Sequence, residues 1–117
     1  MAQRPSERRI EQRIDVNLRG TISFNGLSRD CLISNVCSNG FLLQADQKIQ
    51  IGEVAELRVS LYDSPPITCT VQIKHVNADR RGAMVIDMSE ADRKVYRAFV
   101  QTERASQMEA RSQAGLR

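Results

Sequence analysis

Val16-Asn17-Leu18-Arg19-Gly20-Thr21-Ile22-Ser23-Phe24-Asn25-Gly26-Leu27 decides the fold class. Val16, Leu18, Ile22 and Phe24 share one parity, while Asn17, Arg19, Thr21 and Ser23 share the other. That period-2 alternation marks a strand buried on one face only. Asn25-Gly26 follows at once. Both residue types tolerate positive φ, so the pair predicts a two-residue type I′ hairpin, with Leu27 to Val36 returning as the second strand.

Working outward, the same punctuation recurs. Asn39-Gly40 precedes a short third strand, Phe41-Leu42-Leu43, and residues 48–53 form a loop around Gly52. Ala55, Leu57, Val59 and Leu61 alternate with Glu56, Arg58 and Ser60 in strand four. Ser64-Pro65-Pro66 breaks the pattern because proline cannot donate to a ladder. Ile67, Cys69, Val71 and Ile73 alternate with polar residues in strand five; a turn over 77–82 leads to strand six, with Met84, Ile86 and Met88 expected on one face. Ser89-Glu90-Ala91-Asp92 reads as a helix start, with a hydroxyl at the N-cap and acids in the first turn. A helix over 90–112 follows, with an apolar stripe of Ala91, Val95, Ala98, Phe99 and Thr102 that thins beyond Glu103. The predicted class is all-β with a C-terminal helix: six antiparallel strands in a small barrel whose open end the helix covers. The expected divisions are a basic arm over 1–13, the barrel over 14–88, and a helix and tail over 89–117.

At 117 residues the chain has room for one ordinary core, and 41% hydrophobic with 26% charged residues excludes wholesale disorder. The start, MAQRPSERRI, has no apolar leader, and no stretch is long enough to cross a membrane, so a cytoplasmic protein is expected. Three cysteines, Cys31, Cys37 and Cys69, are an odd number without a C-x-x-C pair, which argues against a disulfide framework and a zinc site. The net charge of +3 sits at the ends. Arg4, Arg8, Arg9 and Arg13 face only Glu7 and Glu11, whereas residues 14–88 are close to neutral. No phosphate-binding loop, dinucleotide fingerprint, nucleophile elbow or zinc-protease helix is present. A single histidine, His75, and dispersed carboxylates leave no acid–base pair, so no catalytic residue, metal or cofactor is expected.

Two constellations carry binding chemistry. In Arg8-Arg9-Ile10-Glu11-Gln12-Arg13, Arg9 and Arg13 are four apart and share a side whether the arm is helical or extended. Two guanidinium planes on one side can fork onto phosphates and stack on a purine. In isolation this reads as a surface cluster balanced by Glu7 and Glu11. In Asn35-Val36-Cys37-Ser38-Asn39-Gly40, small polar side chains can read a base edge, and Gly40 permits positive φ and close backbone approach. In isolation it is simply a polar turn.

Together, an R-x-x-x-R arm before strand one and a [D/N]-x-S-x-x-G turn after strand two resemble the PilZ domain family, bacterial receptors for cyclic di-GMP. The first motif is intact as Arg9 to Arg13; the second has Cys37 where the family usually has serine. The likeness runs from about Arg8 to Val100 and includes the glycine-led last strand Gly82-Ala83-Met84-Val85, with Val85 where an aromatic is common. The resemblance implies a split-barrel type of six-stranded fold whose arm folds over the ligand. By it, Arg9 and Arg13 grip guanine edges and phosphates, Asn35 hydrogen-bonds a guanine, and Cys37, Ser38, Asn39 and Gly40 line the same site. Arg8, directly before the first motif, implies an intercalated ligand pair, and His75 falls where some members place a side chain against a base. The implied partners are cyclic di-GMP and an unidentified protein, with no nucleic-acid polymer and no membrane insertion. A monomer or weak homodimer is expected.

Ordering residues 8–13 costs roughly 6–12 kcal/mol at about 1–2 per residue, while micromolar affinity requires about −8 kcal/mol net. Charged hydrogen bonds contribute about 1.5–3 kcal/mol each and cation–π stacking about 0.5–2. Two arginines alone fall short, so both motifs are needed. Two other classes compete: an adaptor of the same fold that has lost the nucleotide, and a small-barrel nucleic-acid binder. The intact R-x-x-x-R disfavours the first. The neutral barrel and the lack of paired aromatics disfavour the second.

Overall fold

The computed structural model describes residues 13–45, 48–62 and 64–115, with side chains as far as Gln107. Six strands, β1 (Ile14–Phe24), β2 (Leu27–Cys37), β3 (Gly40–Gln44), β4 (Val54–Ser60), β5 (Ile67–Asn77) and β6 (Arg80–Met88), precede a helix, α1 (Glu90–Gly115). The strands close into an antiparallel barrel in the order β1-β2-β3-β6-β5-β4. Closure removes the unpaired edges that an open sheet exposes. Of the expected arm, only Arg13 lies within the described residues.

The β1–β2 hairpin turns through Asn25 (φ 50°) and Gly26 (φ 77°), the paired left-handed backbone of a type I′ turn. Leu18, Ile22 and Phe24 of β1 meet Leu57 and Val59 of β4 and Val71 and Ile73 of β5 in a continuous aliphatic core. Tyr96, Phe99 and Val100 bring α1 onto that core. Asp92 N–H donates to Ser89 Oγ at 3.1 Å, so the helix begins on the expected cap. The helix lies across the end where β1 starts and β4 finishes. Thr68 N–H donates to Asp92 Oδ2 at 3.1 Å, Tyr62 packs on Phe99 with ring centroids 5.7 Å apart, and Gln107 Nε2 donates to the Asp15 carbonyl at 2.7 Å.

Two expectations are corrected. The apolar stripe of α1 is Tyr96, Phe99 and Val100 with Val95 beside it, whereas Ala91, Ala98 and Thr102 are exposed. On β6, Met84 and Ile86 face outward while Arg81, Ala83 and Met88 are buried. A bulge explains the inversion. Thr70 pairs with Asp87 and Val71 with Val85, so Ile86 has no cross-strand partner, and the side-chain phase flips there.

Candidate functional site

Bulges also build the most distinctive surface of the barrel. Ile33 pairs with Leu43 but Asn35 with Leu42, so Ser34 is an extra residue on β2. Ile73 pairs with Ala83 but His75 with Gly82, so Lys74 is an extra residue on β5. Strict alternation would send His75 inward after Val71 and Ile73; the extra residue turns it out to solvent. The outcome is one cross-strand row over four strands, Asn35–Leu42–Gly82–His75, extended to Asp15 on β1. A second row, Cys37–Gly40–Met84–Gln72, runs beside it toward α1.

An open cleft of about 540 Å³ lies over these rows, with Arg13 at one edge and Lys74 and His75 at the other. Glycines make its floor. A Cβ on Gly82 would stand 3.2 Å from the His75 ring, and one on Gly40 would stand 2.7 Å from the Ala83 carbonyl oxygen. Gly40 does not have positive φ, so of the two expected reasons for a glycine there only close backbone approach holds, here between neighbouring strands. Ser38 and Asn39 form the two-residue β2–β3 turn, likewise without positive φ.

Asn35 is fixed by its own neighbours. Its Nδ2 donates to Asp15 Oδ1 and to the Ser34 carbonyl, each at 3.0 Å. With both amide hydrogens engaged, the side-chain oxygen is the group left to accept from a ligand. The described lining residues include the cations Arg13 and Lys74 and no carboxylate, which suits an anionic ligand.

The structure thus brings Arg13, Asn35, Cys37, Asn39, Gly40 and His75 to one cleft. Ser38 is exposed on the turn and is not among the lining residues, so it does not join them. Arg8 and Arg9 lie outside the described residues. Sequence reasoning missed Lys74 and Met84 as lining residues, because the bulges on β5 and β6 are invisible to periodicity, and it missed Leu42, which alternates outward between buried Phe41 and Leu43. It also missed Tyr96, whose hydroxyl donates to the Cys37 carbonyl and has the Gly40 carbonyl as a second acceptor at 3.3 Å.

Two thiols are chemically quiet. Burial pushes Cys31 up to about 11, helped by Asp30, and Cys69 up to about 12, helped by Asp92. Both belong to the core and neither lines the cleft, so neither supplies a thiolate nucleophile near neutral pH. Among the described residues no cluster of His, Cys, Asp and Glu could hold a metal ion, and no helix is long and apolar enough to cross a membrane.

A family model described as the PilZ domain matches residues 7–102. Among solved structures, the Bacillus subtilis inhibitor of motility (MotI/DgrA) superposes with a TM-score of 0.69 at 16% identity, over 93% of this chain and 53% of that one. The PilZ domain of CeSA from a cellulose-synthesizing bacterium gives 0.60 at 6% identity, over 82% and 98%. Borreliella burgdorferi PlzA, in complex with c-di-GMP, gives 0.56 at 18% identity, over 78% and 40%. The chain therefore spans about half of MotI/DgrA, and at these identities the likeness is one of fold. Among curated proteins there is no sequence match. A family model covering most of the chain, on a closed six-stranded barrel with one C-terminal helix, establishes that this protein belongs to the PilZ domain family.

Proposed function

We propose that this protein is a non-catalytic receptor for cyclic di-GMP that changes conformation on binding and thereby regulates a protein partner in motility, pilus function or exopolysaccharide output. The observation that carries the reading is the row Asn35–Leu42–Gly82–His75, with Arg13 at the edge of the cleft above it. Gly82 lets the His75 ring and Gly40 lets the Ala83 carbonyl pack close against the strands beneath the cleft, a surface against which a purine ring can lie. Asn35 offers an amide oxygen to a guanine N–H, His75 offers a ring face, and Arg13 and Lys74 offer charge to the phosphodiesters. Arg9 and Arg8 complete the grip from the residues before β1, and Arg8 favours an intercalated ligand pair. Membership of a cyclic di-GMP receptor family supports the reading, as does the c-di-GMP complex of PlzA. Ligand contacts that engage the arginines before β1 would supply the switch. On this reading the protein works in the bacterial cytoplasm as a monomer or weak homodimer.

Calorimetry with cyclic di-GMP tests it. Wild type binds with one or two ligands per chain, and Arg9→Ala, Arg13→Ala or Asn35→Ala each weakens binding at least tenfold, the equivalent of about 1.4 kcal/mol. No heat from wild type overturns the receptor reading in favour of an adaptor acting by protein contacts alone. Salt-steep binding to RNA or DNA with indifference to cyclic di-GMP would overturn it in favour of a nucleic-acid binder.

A further inference from the structure

The turn that carries the cleft's polar rim is held from two sides: within the sheet Val85 N–H of β6 donates to the Asn39 carbonyl at 2.8 Å, and from outside it Tyr96 of α1 reaches the turn's ends. Cys37 and Gly40 pair across a two-residue loop, Ser38-Asn39, in which neither residue has positive φ. The two-residue hairpin turns whose twist matches the strands need at least one such residue, and other turns splay the strands they join. This hairpin therefore lacks the local twist match that Asn25-Gly26 gives the β1–β2 turn. Tyr96 compensates. Its hydroxyl donates to the Cys37 carbonyl at one end of the turn, with the Gly40 carbonyl at the other end 3.3 Å away as the alternative acceptor. Its ring packs on Phe41, the next residue of β3, with centroids 5.3 Å apart. Both carbonyls belong to residues that line the cleft, and Tyr96 itself is 3% exposed and does not line it. The far end of the helix is tied to the other side of the same site. Gln107 donates to the carbonyl of Asp15, whose carboxylate orients Asn35.

We propose that Tyr96 is a positioning residue that couples helix α1 to the nucleotide cleft: its hydroxyl holds the Cys37–Gly40 turn in the ligand-ready shape, and cleft occupancy in turn strengthens the hold of the barrel on α1. This inference rests on the receptor reading above. The second half follows from the first by linkage, since a contact that raises ligand affinity by some factor is itself stabilised by the ligand by the same factor. Helix α1 is thereby the element whose stability reports occupancy to a partner.

The test uses Tyr96→Phe, which removes the hydroxyl and keeps the ring against Phe41. Calorimetry with cyclic di-GMP, at a temperature where both proteins are folded, is expected to give an affinity about fivefold weaker or more. Ile22→Val, a core change at a residue 0% exposed and outside the cleft lining, leaves affinity unchanged and controls for general destabilisation. Hydrogen exchange of the α1 amides over residues 93–104 slows when cyclic di-GMP is added to wild type, and slows less in Tyr96→Phe. If wild type binds but Tyr96→Phe binds equally well, or the α1 amides of wild type exchange at the same rate with and without ligand, the coupling is overturned while the receptor reading stands. If wild type fails to bind, the receptor reading itself falls.

Discussion

Cys37 occupies the position in the turn motif where a hydroxyl is the usual family choice, and its neighbours show what the thiol changes. Its sulfur sits 3.7 Å from the place a Cβ on Gly40 would take, an ordinary packing distance, so the thiol packs beside the glycine without crowding it. The side chain is half-buried on the cleft wall. A thiol donates and accepts more weakly than a hydroxyl, and the difference is about one ordinary hydrogen bond, roughly 0.5–1.5 kcal/mol. The backbone carbonyl of the same residue is held by Tyr96 and does not depend on the side chain. Cys37→Ser is therefore expected to hold cyclic di-GMP affinity or tighten it by up to about tenfold in a calorimetric titration. A clear weakening would mean that the sulfur itself packs against the ligand, and that the turn meets the nucleotide in a different register.

At the scale of elements, regular alternation decides where strands lie and irregularity decides what they present. The β1–β2 hairpin, β4 and β5 were legible because Asn25-Gly26 and long runs of period-2 alternation admit one reading each. The buried face of β6 was not legible, because Met84 and Ile86 are apolar and Arg81 is not. Hydrophobicity chooses the wrong parity when the inward strand position is a guanidinium. Arg81 is only 1% exposed, and it is paired with backbone. Its Nε donates to the Ile49 carbonyl at 2.6 Å, and one terminal nitrogen donates to the carbonyls of Ala78 and Arg80 at 2.7 and 2.8 Å. These bonds tie β6, the β5–β6 turn and the segment around buried Ile49 into a plug at the barrel end opposite α1. The site was legible in the same partial way. Its motif residues could be named, but their convergence depends on the unpaired Ser34 and Lys74, which no spacing rule announces. Arg81→Met keeps most of the volume and leaves three carbonyls without this donor, so it is expected to cost about 3 kcal/mol or more. The measurement is the urea midpoint with an unchanged slope. Arg81→Lys recovers only a fraction, since one ammonium cannot reproduce the fork that reaches three acceptors. Full stability in Arg81→Met would show that the plug is held by apolar packing of Ile49 alone.

Taken whole, the barrel is an aliphatic core closed at one end by α1 and at the other by Arg81, with the candidate cleft on an outer wall. Such a core tolerates Cys31 and Cys69 as small apolar residues, and the price is felt only in alkali. Each thiol has an ordinary value of 9.0, and burial raises it to about 11 for Cys31 and about 12 for Cys69 in the folded protein. Between pH 9 and those raised values, the unfolded chain releases thiol protons that the folded chain retains. The unfolded state then binds fewer protons, so stability falls as pH rises through this window and is unaffected below it. Tyrosines and lysines also titrate in alkali, so a variant is needed to isolate the thiols. The drop in melting temperature from pH 8 to pH 10.5 is expected to be smaller in Cys31→Ala/Cys69→Ala than in wild type, even though the double variant starts lower for its two small cavities. At pH 8, maleimide should label half-buried Cys37 in the native protein well before the two core thiols, and cyclic di-GMP should slow that labelling. Equal alkaline drops in wild type and the double variant would mean that the core opens enough to hydrate both thiolates, and that the barrel yields locally before it unfolds as a unit.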